Sequence, residues 1–474
     1  MNKIEKENLG IWFLPSSPTE RLSGTLIIDD DNGCKLKMAH NFGGFSGIGI
    51  DNLPVIHGIL SNGKKVTLID STKTNQQWAF PGFPVTILSC RLAVIGGFYQ
   101  DEKDIIISEM KATYEHLNFW LNKNPFEIIS RQNEIYMNYK MPEVIKSEIG
   151  NLGIEFTYRV SATGDQYSKF ELTQTEFVRF LFKENTHYRA AIDEVYDFSS
   201  FLTLCIGKKV GNKNFYAKDI DGNDIILLFK LQMENSQKIR EHDIFIKFSY
   251  IEETFETCLQ AWNAKKALLE PIIIYFVEAH ERGFHVPLSF LKVVQAIEAF
   301  SRRMRNNKIW TEEEFKEKVD RIVAQLQDDE DKKLISGILS NEPRLRQRLT
   351  DLFAEVNDIF EISSKKRKSY TNKIVDTRNY FTHFDEALKP NVLDVDMMYY
   401  LTGYLKLVLR VLLLRELGMD NDLIKCRMID SQELLNIKEG LGLIPPIELM
   451  KIEIKDVTED DSKENSTDST ITES

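Results

Sequence analysis

Cysteine is scarce. The 474 residues contain only Cys34, Cys90, Cys205, Cys258 and Cys426, an odd number with no C-x-x-C pair. No histidine stands at zinc-ligand spacing either. A disulfide framework and a structural zinc are therefore not expected, and reduced thiols in a cytoplasmic protein fit best. No metal and no cofactor is anticipated. Uninterrupted apolar runs are also lacking. The opening "MNKIEKENLGIWFLP" does not read as a signal peptide. The longest apolar stretch, 397–417, carries Lys406 and Arg410 where a bilayer centre would be, so it reads as a core helix and no membrane contact is expected. Positive charge is in deficit, and a formal net charge of -12 argues against a general nucleic-acid coat. The glycine run "NFGGFSGIGID" at 41–51 lacks a Gly-Lys-Ser/Thr ending and no helical pattern follows it, so a strand-connecting loop is expected there and not a phosphate loop.

What is present is the composition of a soluble globular protein, 42% hydrophobic and 28% charged, long enough for two or three domains. Residues 1–248 alternate β-branched and apolar runs with turn signals. Asn32-Gly33, Asn62-Gly63 and Asp221-Gly222 each separate two such runs and predict hairpins. Short helices are expected near 110–121 and 174–184. From about residue 249 to 453 the pattern becomes helical. Phe290, Val293, Ile297, Phe300 and Met304 recur at three- and four-residue spacings, with Pro287 near the first turn of their helix. Thr311 and Glu314 have capping-box spacing, and Pro271 is expected to kink or divide its helix. Residues 454–474 read as an acidic, disordered tail, with seven acids against Lys463 between Asp456 and Ser474. The fold class expected is α+β, an antiparallel β-rich domain followed by an all-α bundle.

Charge is concentrated in one place. From Ser363 to His383 six basic residues, Lys365, Lys366, Arg367, Lys368, Lys373 and Arg378, face the single acid Asp376. The run ends in "DTRNYFTHFD", where Arg378 and Asn379 precede His383. Histidine can take and return a proton near neutral pH, arginine offers paired donors that fit a phosphate, and RNA carries its own 2′-hydroxyl nucleophile. Together they could cleave a phosphodiester without a metal, with Lys365, Lys366, Arg367, Lys368 and Lys373 gripping the strand and nearby aromatics stacking on bases. On a continuous helix, however, Arg378 and His383 lie about 140° apart. They converge only if the helix ends near Arg378, with Asp376 or Thr377 as its cap, or if two copies face each other. A surface ion pair and a satisfied hydrogen bond are the plain alternatives for this Arg and His.

"TRNYFTH" resembles the R-x-x-x-x-H signature of the HEPN superfamily in its R-N-x-x-x-H form. "FLKVVQAIEAFSRRM" and "NEPRLRQRLTDLF" resemble helices of its ApeA-like branch, and the opening Trp-x-x-Pro segment followed by a Gly-Thr-Leu strand is similar to the ApeA N-terminal domain. The resemblance spans both halves, in the same order. It implies a metal-independent endoribonuclease that forms a homodimer through its HEPN helices and acts in bacterial anti-phage defence by cutting RNA, with transfer RNA as a candidate. Arg378 would bind the phosphate, His383 would be general acid or base, and Asn379 would orient either one. The β-rich half would sense a phage-derived trigger. Glu298 could steady an arginine of the site, or simply pair with Arg302 at i,i+4. Asp385 stands where some HEPN toxins carry a nucleotide-accepting tyrosine, so silencing by that route is not expected. The competing function is a non-catalytic RNA- or ligand-binding protein that dimerises. A weaker one is a carbohydrate- or peptide-binding β-domain with oligomerising helices.

Overall fold

The computed structural model describes residues 6–29, 33–42, 52–77, 81–165, 167–230, 239–281 and 285–445. Most of the glycine run, Asn32 of the first hairpin signal and the acidic tail lie outside these residues.

The first six strands are β1 (Glu7–Leu14), β2 (Ser17–Asp29), β3 (Gly33–Met38), β4 (Asn52–Leu60), β5 (Lys65–Gln77) and β6 (Val85–Ile95). They pair antiparallel in the order β6-β3-β2-β1-β4-β5, and β5 returns to β6, which closes a six-stranded ring. Its interior is filled by Trp12, Leu26, Leu36, Ile56, Val66, Leu68 and Leu88. The two pieces of the opening resemblance meet here, because Trp12 Nε1 donates to the Gly24 carbonyl at 3.1 Å. Gly58 completes the fit, since a Cβ there would lie 2.3 Å from the Trp12 ring.

The ring opens into a sheet at β6. Its first half, Thr86–Cys90, bonds β3, and its second half, Leu92–Ile95, bonds the last strand of this half, Asp224–Phe229. Burial follows that change, alternating up to Arg91 and then continuous over Leu92, Ala93, Val94 and Ile95, as a strand covered on both faces requires. The sheet continues through β7 (Ile106–Tyr114), a separate hairpin of β8 (Phe126–Arg131) and β9 (Glu134–Tyr139), then β10 (Ile145–Ile149), β11 (Leu152–Gly164), β12 (Phe170–His187), β13 (Asn212–Asp219) and β14 (Asp224–Phe229), in the order β10-β11-β12-β7-β13-β14. The Asn62-Gly63 and Asp221-Gly222 turns join β4 to β5 and β13 to β14.

Two helices expected in this half are corrected. Residues 174–184 belong to β12, where Val178, Phe180 and Phe182 alternate and pair with β7 and β11 across long sequence distances. Of 110–121, Met110–Tyr114 is strand and only Leu117–Leu121 (α1) is helix. The main helix of the half, α2 (Tyr188–Ile206), was not anticipated. It packs on β7 and β12.

The rest is helical: α3 (Phe248–Ile251), α4 (Phe255–Ala279), α5 (Val286–Met304), α6 (Glu312–Val323), α7 (Asp329–Ile338), α8 (Leu345–Glu355), α9 (Asn357–Phe360), α10 (Ser364–His383), α11 (Val395–Glu416), α12 (Asn421–Ile429) and α13 (Gln432–Gly440). Pro271 does not divide α4. Proline leaves the carbonyl four residues back without its helical donor, and here Arg303 Nη1 supplies one to Ala267 O at 3.1 Å. The Thr311–Glu314 capping box forms. Among the described residues one helix, α11, is long and apolar enough to cross a membrane, and 72% of its apolar window is buried inside the protein. The two halves share one core: Trp120, Phe156, Phe198 and Phe201 from the β-rich half pack with Phe248 and Phe255 from the helical half.

Candidate functional site: the Arg378–Glu298 pair and its basic groove

Helix α10 starts at Ser363, whose side chain accepts from Lys366 N, and buries a stripe of Tyr370, Thr371, Ile374, Val375 and Thr377. It runs unbroken to His383. A helix end at Arg378 is therefore excluded. Thr377 is a buried anchor, not a cap, with its Oγ1 accepting from Leu393 N at 3.0 Å, and Asp376 pairs with Arg346 at 3.3 Å. The helix stops instead at Phe384, in the left-handed region with φ 52.

The stripe turns Arg378 toward α5. Its Nη2 lies 3.3 Å from Glu298 Oε2, and its Nη1 donates to Asn379 Oδ1 at 3.1 Å. Glu298 is buried and uses its other oxygen to accept from Arg302 Nε at 3.2 Å, so it contacts both arginines at once. Arg302 continues to Glu342, which also pairs with the buried Arg348 at 3.5 Å. A carboxylate this enclosed is tolerable because both oxygens are charge-paired. The result fixes the Arg378 side chain while leaving it about a quarter exposed (27%).

His383 is not part of this cluster. It is exposed at the last turn, about 7.5 Å further along the axis by helical rise, and its side chain makes no hydrogen bond among the described residues. Within one chain the structure brings Arg378, Asn379 and Glu298 together and leaves His383 apart. Of the two arrangements the helical angles allow, the helix end is ruled out within this chain.

The five basic residues upstream form the first turns of α10. Lys366 is tied to Gly442 O at 2.8 Å, and Lys365 and Lys373 are exposed. Arg367 and Lys368 border a groove of about 1460 Å³ between α6–α7, α8 and α10. Its walls add Arg302, Lys308, Arg344 and Arg346, with Trp310 and Phe315 stacked at 6.3 Å. Arg344 and Arg346 were missed as contributors. The run "PRLRQR" marks them, but Arg348 in the same run is buried, and only packing separates the two kinds.

Residues 7–262 match the family ApeA N-terminal domain 1, and residues 291–423 match the Apea-like HEPN family. This chain belongs to the ApeA-like HEPN proteins. The N-terminal match covers the ring, the sheet and α2 and ends inside α4, while the HEPN match runs from α5 into α12 and contains both Glu298 and the Arg378–His383 stretch. Membership places the ApeA-like chain in a class with ribonuclease-type or defence-related functions. No curated protein and no solved structure matches it.

Proposed function

We propose that this ApeA-like protein is a metal-independent HEPN endoribonuclease of the cytoplasm that acts in anti-phage defence, with transfer RNA as a candidate substrate. The observation that carries the reading is the buried Glu298 carboxylate, which holds the Arg378 guanidinium beside Asn379 on a helix that borders a basic groove. A fixed, permanently charged guanidinium suits the equatorial oxygens of a pentacoordinate phosphorus. Two chains pair so that His383 of one approaches Arg378 of the other. The RNA 2′-hydroxyl attacks the adjacent phosphorus, His383 either accepts that proton, with water protonating the departing 5′-oxygen, or protonates that oxygen, with water accepting the 2′ proton, the P–O5′ bond breaks, and a 2′,3′-cyclic phosphate remains. Lys365, Lys366, Arg367, Lys368 and Lys373, with Arg344 and Arg346, hold the strand by its phosphates. The β-rich half acts as the sensing module for a phage-derived trigger.

The test is cleavage in EDTA by the purified full chain and its Arg378→Ala and His383→Ala variants, with the product ends identified. Cyclic phosphate ends and inactive variants are expected. A strict need for a divalent metal, or full activity in both variants, overturns the reading. The exposure of His383 away from Arg378 favours one alternative, a non-catalytic RNA-binding dimer, for which RNA binding falls with salt and no cleavage occurs in any state.

A further inference from the structure

A second cleft, of about 1000 Å³, lies where the end of α2 meets α11 and α13. Each half of the chain contributes cations to it. Lys208 follows the α2 C-terminus, while Lys406 and Arg410 project from α11. Arg410 is buried at 1% exposure. Its Nη1 lies 3.3 Å from Glu433, and its Nη2 donates to Gly207 O and to His280 Nε2, each at 3.2 Å. Its Nε is buried with no partner among the described residues. His280 Nδ1 faces the Phe276 carbonyl at 2.8 Å and must carry the proton to donate there, which leaves Nε2 as the acceptor for Arg410. Burial, with Lys406 and Arg410 beside it, holds that imidazole well below its usual pKa, so it adds no positive charge.

Three cations thus converge beside one carboxylate, Glu433. The cleft's other acids are Asp243 and Glu281, already engaged with Arg240 and Lys209, and Asp430, which accepts from Cys426 Sγ at 3.7 Å. Lys406, half-buried and flanked by Arg410 and Lys208, is pushed down to about 8, chiefly by burial. Partly buried positive charge without its counterions is costly, and an incoming anion relieves that cost. Tyr399 and Tyr400 form an aromatic wall of the same cleft, their rings 5.4 Å apart. The volume suits a small ligand.

We propose that this interdomain cleft binds a free nucleotide, with its phosphates on Lys208 and Lys406, in the field of the buried Arg410 behind them, and its base against the tyrosine wall. Because Lys208 belongs to the β-rich half and the other two cations to the helical half, the ligand bridges them. This does not rest on the nuclease reading, and its test measures binding alone.

The experiment titrates the full chain by calorimetry with ATP, GTP, a cyclic dinucleotide, inorganic pyrophosphate and a short oligoribonucleotide. Lys208→Ala and Lys406→Met are each expected to weaken nucleotide binding at least tenfold, Lys406→Arg to restore most of it, and Lys169→Ala, an exposed lysine outside the cleft, to leave it unchanged. Pyrophosphate is expected to bind more weakly than the nucleotide, because it lacks the base. Lys208 is half-exposed, so its variant decides the question even if a change at Lys406 prevents folding. No nucleotide binding at millimolar concentration, binding indifferent to Lys208→Ala, or saturation of the cleft by the oligoribonucleotide alone would each overturn the proposal.

Discussion

Glu298 is a buried carboxylate between two guanidinium groups, and its amide isostere keeps the shape while losing the charge. Glu298→Gln leaves Arg302 and Arg378 short of a counterion and is expected to cost about 1–3 kcal/mol of stability, read as a lowered Tm. If Glu298 positions Arg378 for catalysis, the same variant lowers kcat at nearly constant KM at temperatures where it is fully folded. A purely structural role would leave kcat intact under those conditions. Lys406 offers a pH test with a definite sign. Its folded pKa, about 8, lies below the ordinary lysine value, so between the two the unfolded chain binds more protons and stability from this group rises with pH. Lys406→Met is expected to stabilise the protein by roughly 1–2 kcal/mol at pH 7. The gap to wild type should narrow from pH 8 to about 10.4, measured as the difference in Tm. Glu298, Arg378 and His383 were all legible by residue type. That the first two touch was not, because they lie 80 residues apart on different helices, whereas the separation of His383 from Arg378 follows from the helical angle once α10 is continuous.

The clearest close fit within an element is in the ring. Gly58 on β4 lies against the Trp12 ring, and a methyl group 2.3 Å from aromatic carbons must displace one or the other. Gly58→Ala is expected to cost about 1–3 kcal/mol by overpacking. The loss should appear in thermal unfolding followed by near-ultraviolet circular dichroism, which reports the Trp12 environment. Hairpin turns and helix caps were readable because their determinants are local: a glycine that tolerates positive φ, a threonine that accepts its own N3 amide. β12 was misread because Val178, Phe180 and Phe182 are strand residues only once β7 and β11 lie beside them. Pro271 leaves α4 undivided for a related reason. The carbonyl it orphans is satisfied by Arg303, which lies on a different helix.

Between two chains, the separation of Arg378 from His383 gives a sharp prediction. If each composite site takes its arginine from one chain and its histidine from the other, mixing Arg378→Ala with His383→Ala restores part of the cleavage that neither variant retains alone. Recovery after mixing and refolding, read on the same RNA, checks it, and no recovery means the two groups must belong to one chain. The sequence by itself determined the α+β order, the change from strand to helix near residue 250, the burial of 397–417 and the basic run at 365–378. Each of these depends on hydrophobic period, turn chemistry or charge within a short window. Only the tertiary structure decided that six strands close on β6, that both halves share one core, that Glu298 holds Arg378, and that Lys208 meets Lys406 and Arg410 across the junction. Those contacts join residues tens to hundreds of positions apart, and pairing at that range is set by packing, which no local pattern encodes.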